Sequence, residues 1–65
     1  MSNPTVALLS DIELFLEQTG TLPTNFGIAA MGDPTFVRRL RAGRELRYLT
    51  LEKVRAFMAA HQVAA

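Results

Sequence analysis

The chain has 65 residues, of which 49% are hydrophobic and 20% charged. This balance is typical of a folded globular protein, and the length suffices for one hydrophobic core, so we expect a single domain spanning residues 1–65. With no cysteine and one histidine, the chain offers neither a disulfide nor a Cys/His zinc site. No hydrophobic run approaches the roughly 20 residues of a membrane span, and no basic signal-peptide start is present. We therefore expect a cytoplasmic protein.

The charged side chains are divided between the two halves of the chain. Residues 1–33 carry four acidic side chains and no basic one, whereas residues 34–65 carry all seven basic side chains and two acidic ones. A basic segment concentrated between Arg38 and Arg55 is typical of a surface that binds a polyanion. The alternative is a solvated helix surface without a partner.

The first predicted helix covers residues 4–18. Asn3 and Pro4 are suited to the N-cap and the first helical position, and Gly20 supplies the stop. Ser10 and Glu13 also fit a capping box, which would start the helix later. Apolar residues at helical spacing predict one buried stripe, formed by Val6, Leu9, Ile12 and Leu16. Two further apolar residues, Leu8 and Phe15, widen this stripe.

Two short helices are predicted next, separated by two or three residues. The second helix is predicted over residues 24–31, directly after Pro23, which is suited to a first helical turn. Within it Phe26, Ala29 and Ala30 are spaced to share a buried face. Gly27 costs helix stability, so we expect a packing reason for it. The third helix is predicted over residues 33–42, because Asp33 can cap it and Pro34 can follow.

In the third helix Val37 and Leu40 are predicted to face the core and Thr35, Arg38, Arg39 and Ala42 the outside, while Phe36 fits either side. After an irregular stretch over residues 44–49, Thr50 is predicted to cap a last helix ending near His61. Its buried face consists of Leu51, Val54, Phe57 and Met58. Residues 62–65 could extend this helix or fray. The expected fold is all-α, a compact bundle of four to five short helices.

Residues 5–60 resemble the lambda-repressor-like, Xre/Cro type of helix-turn-helix domain. Phe26-Gly27 resembles the apolar-small pair of the scaffold helix, Val37 and Leu40 resemble the buried positions of the recognition helix, and Gly43-Arg44 resembles its ending. The string from Phe26 to Arg44 is also similar to small proteins of alphaproteobacteria and their phages. Three features depart from the pattern: the turn around residues 32–34 is one residue shorter, Gly27 replaces the usual small Ala, and Pro34-Thr35 replaces the polar Gln or Ser often found at the start of the recognition helix. The bases read by the family therefore do not transfer.

The resemblance implies sequence-specific binding of double-stranded DNA and transcription regulation, with the third helix in the major groove. The expected base-reading residues are Thr35, Arg38 and Arg39. The expected phosphate-contacting residues are Thr24, Asn25, Arg41, Arg44, Arg47 and Tyr48. Alternatively, Arg39 or Arg41 pairs with Glu45 or Asp33 on the surface. Lys53 and Arg55 are interpreted as a solvated face, and His61 as a cap of helix carbonyls or an exposed side chain.

The expected assembly is a homodimer, or a protomer beside a second bound protein, because one reading helix covers little DNA. Its predicted dimer surface is the outer side of the last helix, formed by Ala56, Ala59, Ala60 and Val63.

No enzymatic activity, cofactor, metal, membrane or small-molecule substrate is expected, since no catalytic grouping stands out. The other functions considered are a protein interaction module (an antitoxin, an anti-repressor or a polymerase adaptor) and a nonspecific architectural DNA binder. Localisation at the nucleoid follows from the DNA-binding expectation.

Overall fold

The computed structural model describes residues 3–61. This part of the chain forms four helices, α1 (Pro4–Thr19), α2 (Pro23–Met31), α3 (Phe36–Arg41) and α4 (Tyr48–Ala60), and contains no strand. The predicted all-α class is therefore confirmed. Helix α1 packs against α3 and α4, while α2 packs most extensively against α3 and also contacts α4. None of the helices is long and apolar enough to cross a membrane.

Helix α1 begins and ends at the residues that its sequence signals predict. The Asn3 side-chain oxygen accepts a 2.8 Å hydrogen bond from the Thr5 backbone N–H, and Pro4 occupies the first helical position. At the other end Gly20 adopts the left-handed conformation, with φ of 69°, and its N–H bonds to the Leu16 carbonyl. The alternative start at Ser10 is wrong, because Asn3 already caps the helix.

The buried stripe of α1 is rotated from the predicted one. Thr5, Leu8, Ile12 and Leu16 are buried, whereas Val6 is 58% exposed and Leu9 is half-buried. Thr5 faces inward because its hydroxyl oxygen accepts a 3.1 Å hydrogen bond from the Leu46 backbone N–H. This bond satisfies a donor of the irregular segment after α3 and draws that segment onto α1.

The other helices complete a continuous core around this stripe. The buried apolar residues from α2, α3 and α4 are Phe26, Ala30, Phe36, Val37, Leu40, Val54 and Met58. Phe36, which fitted either side of its helix, therefore belongs to the core. Ala29 is exposed, so its predicted place on the buried face of α2 is wrong. The Phe26 ring makes edge-to-face contacts with Phe15 and Phe57, each with ring centroids 5.5 Å apart.

Helix α4 begins earlier than predicted. Its N-cap is Arg47, whose carbonyl accepts the Leu51 N–H at 3.0 Å, so the prediction of Thr50 as the cap is wrong. The first turn is held instead by Tyr48, whose hydroxyl donates to the Glu52 carboxylate one turn later at 2.8 Å. At the far end the exposed His61 ring stacks on Phe57 and its Nδ1 lies 2.9 Å from the Phe57 carbonyl, as expected for a capping histidine. The extension or fraying predicted for residues 62–65 lies outside the described residues.

Candidate functional site

Helices α2 and α3 are joined by a tight turn of four residues, 32–35. Gly32 is left-handed, with φ of 67°, and its N–H bonds to the Ile28 carbonyl at 2.9 Å. The Asp33 N–H reaches back to the Gly27 carbonyl at 3.1 Å, and the Asp33 carbonyl then accepts the Phe36 N–H at 3.2 Å. The first two bonds satisfy the Ile28 and Gly27 carbonyls near the end of α2, and together the three bonds fold the chain back across that helix.

This turn makes α3 shorter than the prediction of residues 33–42. Asp33 does precede α3, but its side chain binds Thr35 instead of capping a helix that begins at Pro34. Pro34 and Thr35 consequently belong to the turn, and the first helical residue is Phe36. At the other end Ala42 is the C-cap, with its N–H shared among the last carbonyls of the helix.

The turn passes so close to α2 that no side chain fits at Gly27. A Cβ atom placed there would lie 2.2 Å from the Asp33 carbonyl oxygen and 3.2 Å from the Phe36 Cβ. The packing reason expected for this glycine is therefore confirmed. It fixes the spacing between α2 and α3, so that side chains on the two helices keep a defined relation to each other.

The Asp33 carboxylate is bound by its neighbour Thr35. Its Oδ1 accepts the Thr35 backbone N–H at 2.9 Å and the Thr35 hydroxyl at 2.7 Å. These two hydrogen bonds, together with the positive charges of Arg39 and Arg44, hold the pKa of Asp33 below its usual value. Asp33 is therefore ionised at neutral pH, and the Thr35 hydroxyl hydrogen is engaged.

An open groove of about 540 Å³ lies where the start of α2 faces the turn and α3. We call it the α2–α3 groove, and its lining consists of Leu22, Pro23, Thr24, Pro34, Thr35, Arg38 and Arg41. The structure thus brings together four residues that the sequence singled out for one surface: Thr24, Thr35, Arg38 and Arg41. Thr24 and the two arginines are exposed, and Thr35 is half-buried. The groove combines a hydroxyl-bearing rim with guanidinium groups.

Arg41 is paired with Glu13 of α1 across one edge of the groove. Its Nε and Nη2 donate to the two carboxylate oxygens at 2.8 and 2.6 Å. The hydrogen bond from Arg41 lowers the pKa of Glu13, and the same bond raises the pKa of Arg41. The alternative pairing of Arg41 with Glu45 or Asp33 is therefore wrong. A second bridge joins Arg55 of α4 to Asp11 at 2.7 Å, so two of the three acidic side chains of α1 have basic partners.

The remaining candidate residues do not line the α2–α3 groove. Arg39, Arg44 and Arg47 are exposed and take part in neither of the ion pairs found within residues 3–61. Asn25 instead lines a separate depression beside Phe57 and His61. The hydrogen bond to Glu52 raises the pKa of the exposed Tyr48, which lines a third recess near the start of α1. Asn25 and Tyr48 are thus not brought into the α2–α3 groove, and whether they contact phosphate stays a prediction.

Glu13 is a component of this site that the sequence did not predict. The sequence places Glu13 only in a capping box with Ser10, and the separation of acidic and basic residues along the chain is the one signal that it would meet an arginine. The described residues bring no three potential metal-ligating side chains together. No protein-family model matches the chain, and no match is found among curated proteins or among solved structures.

Proposed function

We propose that this protein binds double-stranded DNA sequence-specifically through the α2–α3 groove and regulates transcription. The observation that carries the proposal is the meeting of Thr24, Thr35, Arg38 and Arg41 in one open groove. Gly27 holds the two helices that form it at a fixed spacing. Polar side chains pre-organised on a rigid pair of helices are what recognition of a groove in duplex DNA requires.

In this proposal Arg38 and Arg39 extend from α3 toward base edges. A guanidinium can donate two parallel hydrogen bonds to O6 and N7 of guanine, which gives sequence discrimination. The exposed Arg44 and Arg47 follow α3 in the chain and are proposed to contact phosphates, which position the protein without reading sequence. Thr24 supplies a hydroxyl donor at the groove rim, while Arg41 contacts phosphate after leaving Glu13.

The length of α3 supports a two-site mode of binding. Six helical residues span about 9 Å, so one copy reaches only a few base pairs. We propose that two protomers bind together and meet through α4, whose Ala56, Ala59 and Ala60 are exposed. Val63, the fourth member of the predicted dimer surface, lies outside the described residues.

The proposed function is tested by measuring, with fluorescence anisotropy, the affinity of the protein for a pool of random duplexes at 50 and 200 mM salt. If Arg41, Arg44 and Arg47 each neutralise one phosphate, a fourfold rise in salt weakens binding about fortyfold for one protomer and about 2,000-fold for two. Sequencing of the bound fraction should then reveal an enriched motif. Binding without enrichment would identify an architectural DNA binder, and no binding at 50 mM salt would overturn the proposal.

A second candidate function is that of a protein interaction module. It is favoured by two large exposed apolar side chains at the start of α4, Tyr48 at 69% and Leu49 at 78% exposure. Such side chains commonly anchor protein interfaces. Different substitutions distinguish the two functions. Leu49→Ser should abolish binding of a protein partner, whereas removal of the arginines of α3 should abolish binding of duplex DNA.

The Glu13–Arg41 pair leads to a separate prediction. We expect Glu13→Gln to strengthen binding to random duplex DNA about threefold at low salt, because the carboxylate competes with phosphate for Arg41. Asp11→Asn is the matched control: it removes the same charge from α1, but its partner Arg55 lines a different recess, which lies between α1 and α4. Comparable gains from the two variants would show that only net charge matters and that Glu13 does not restrain Arg41.

A further inference from the structure

The hydroxyl group of Thr35 has only one hydrogen, and the structure shows where it points. Thr35 Oγ1 lies 2.7 Å from Asp33 Oδ1, which also accepts the Thr35 backbone N–H at 2.9 Å. An ionised carboxylate has no hydrogen to donate, so the hydrogen in this bond belongs to Thr35. The hydroxyl oxygen therefore presents only its lone pairs to the α2–α3 groove.

Several features keep the hydroxyl in this orientation. Pro34, between the two residues, has no backbone N–H with which to compete for the carboxylate. Asp33 stays ionised at neutral pH, because the bonds from Thr35 and the charges of Arg39 and Arg44 lower its pKa. A charge-assisted hydrogen bond of this kind is stronger than one between neutral groups. Turning the hydroxyl toward an acceptor on DNA would require this bond to break.

The adjacent polar side chain of the groove has the opposite capacity. Arg38 lines the same groove as Thr35 and can only donate hydrogen bonds. The two residues are therefore complementary to different bases. Guanine presents two acceptors in the major groove and thymine presents one, whereas adenine N6 and cytosine N4 are amino donors.

We propose that Thr35 is a specificity-determining residue that accepts a hydrogen bond from the amino group of adenine or cytosine, while its neighbour Arg38 contacts guanine. The inference rests on the proposed DNA-binding function and names the base chemistry of that same site. Guanine or thymine at the position facing Thr35 places acceptor against acceptor, leaving both unpaired. The expected preference for the amino-bearing bases is about fivefold, the effect of one hydrogen bond between neutral groups.

Selection of bound duplexes from a random pool, carried out with four variants beside the unaltered chain, tests this inference. Thr35→Val removes the hydroxyl with little change in shape, and Thr35→Ser retains it. Asp33→Asn keeps a side-chain oxygen that can accept the Thr35 hydrogen but removes the charge. Asp33→Ala frees the hydroxyl to donate. Circular dichroism and affinity for random DNA at low salt confirm that each variant is folded.

We expect the unaltered chain, Thr35→Ser and Asp33→Asn to share a preference for adenine or cytosine at one position. Thr35→Val should lose the preference at that position alone, and Asp33→Ala should extend it to guanine and thymine. A motif unchanged by Thr35→Val, or a preference for guanine or thymine where Thr35→Val acts, would overturn the inference and leave the proposed function intact. If the unaltered chain enriches no motif, the proposed sequence-specific function fails and this inference fails with it.

Discussion

Replacing Gly27 by Ala is expected to remove most of the protein's free energy of unfolding. The new Cβ would lie 2.2 Å from the Asp33 carbonyl oxygen, a backbone atom that cannot move without displacing the turn between α2 and α3. Introducing an atom into such a site costs about 3 kcal/mol, the upper end of the usual cost of overpacking. A domain of this size is stabilised by only about 3 to 5 kcal/mol in total. The free energy of unfolding, measured by urea denaturation followed by circular dichroism, should fall accordingly.

The opposite substitution, Ala29→Gly, two residues along the same helix, is a matched control. Ala29 is exposed on the same helix, so Ala29→Gly is expected to cost only the helix propensity difference of about 1 kcal/mol. By propensity alone Gly27→Ala should stabilise the protein by a similar amount, so the two explanations predict opposite signs. A Gly27→Ala variant as stable as the unaltered chain would show that the turn relaxes away from α2, and the fixed spacing of the α2–α3 groove would then lose its support.

The ends of α1 and α2 were predictable because single residues determine them. Asn3 and Pro4 start α1, and Gly20 and Gly32 end α1 and α2 in the left-handed conformation that other residues rarely adopt. The start of α3 was not predictable in the same way. Asp33 can cap either a helix or a short turn, and its 2.7 Å bond to the Thr35 hydroxyl selects the turn.

The rotation of α1 depended on contacts distant in sequence. Val6, Leu8, Leu9 and Ile12 are all apolar, so several faces of the helix were equally suitable for burial. The hydrogen bond between the Thr5 hydroxyl and the Leu46 N–H joins residues 41 positions apart and decides which face turns inward.

The candidate site was predictable in its residue types but not in its pairing. The concentration of basic residues, together with the helix-turn-helix resemblance, singled out Arg38 and Arg41 for one surface. The rotation of α1 then sets which basic side chain each acidic residue meets: Glu13 pairs with Arg41, 28 residues away, and Asp11 pairs with Arg55, 44 residues away. Pairings over such distances depend on the assembled fold, which a pattern along the chain does not encode.

The double substitution Arg38→Ala/Arg39→Ala is expected to weaken binding to the selected DNA motif about a hundredfold, because each arginine is proposed to contact a base edge. The control Lys53→Ala/Arg55→Ala removes two positive charges from α4 and should weaken binding only about threefold. All four side chains are exposed, so both variants should remain folded. Fluorescence anisotropy over a salt series separates two modes of contact. Loss confined to the motif, with the salt dependence retained, indicates base reading, whereas equal loss on random DNA with a shallower salt dependence assigns Arg38 and Arg39 to phosphates.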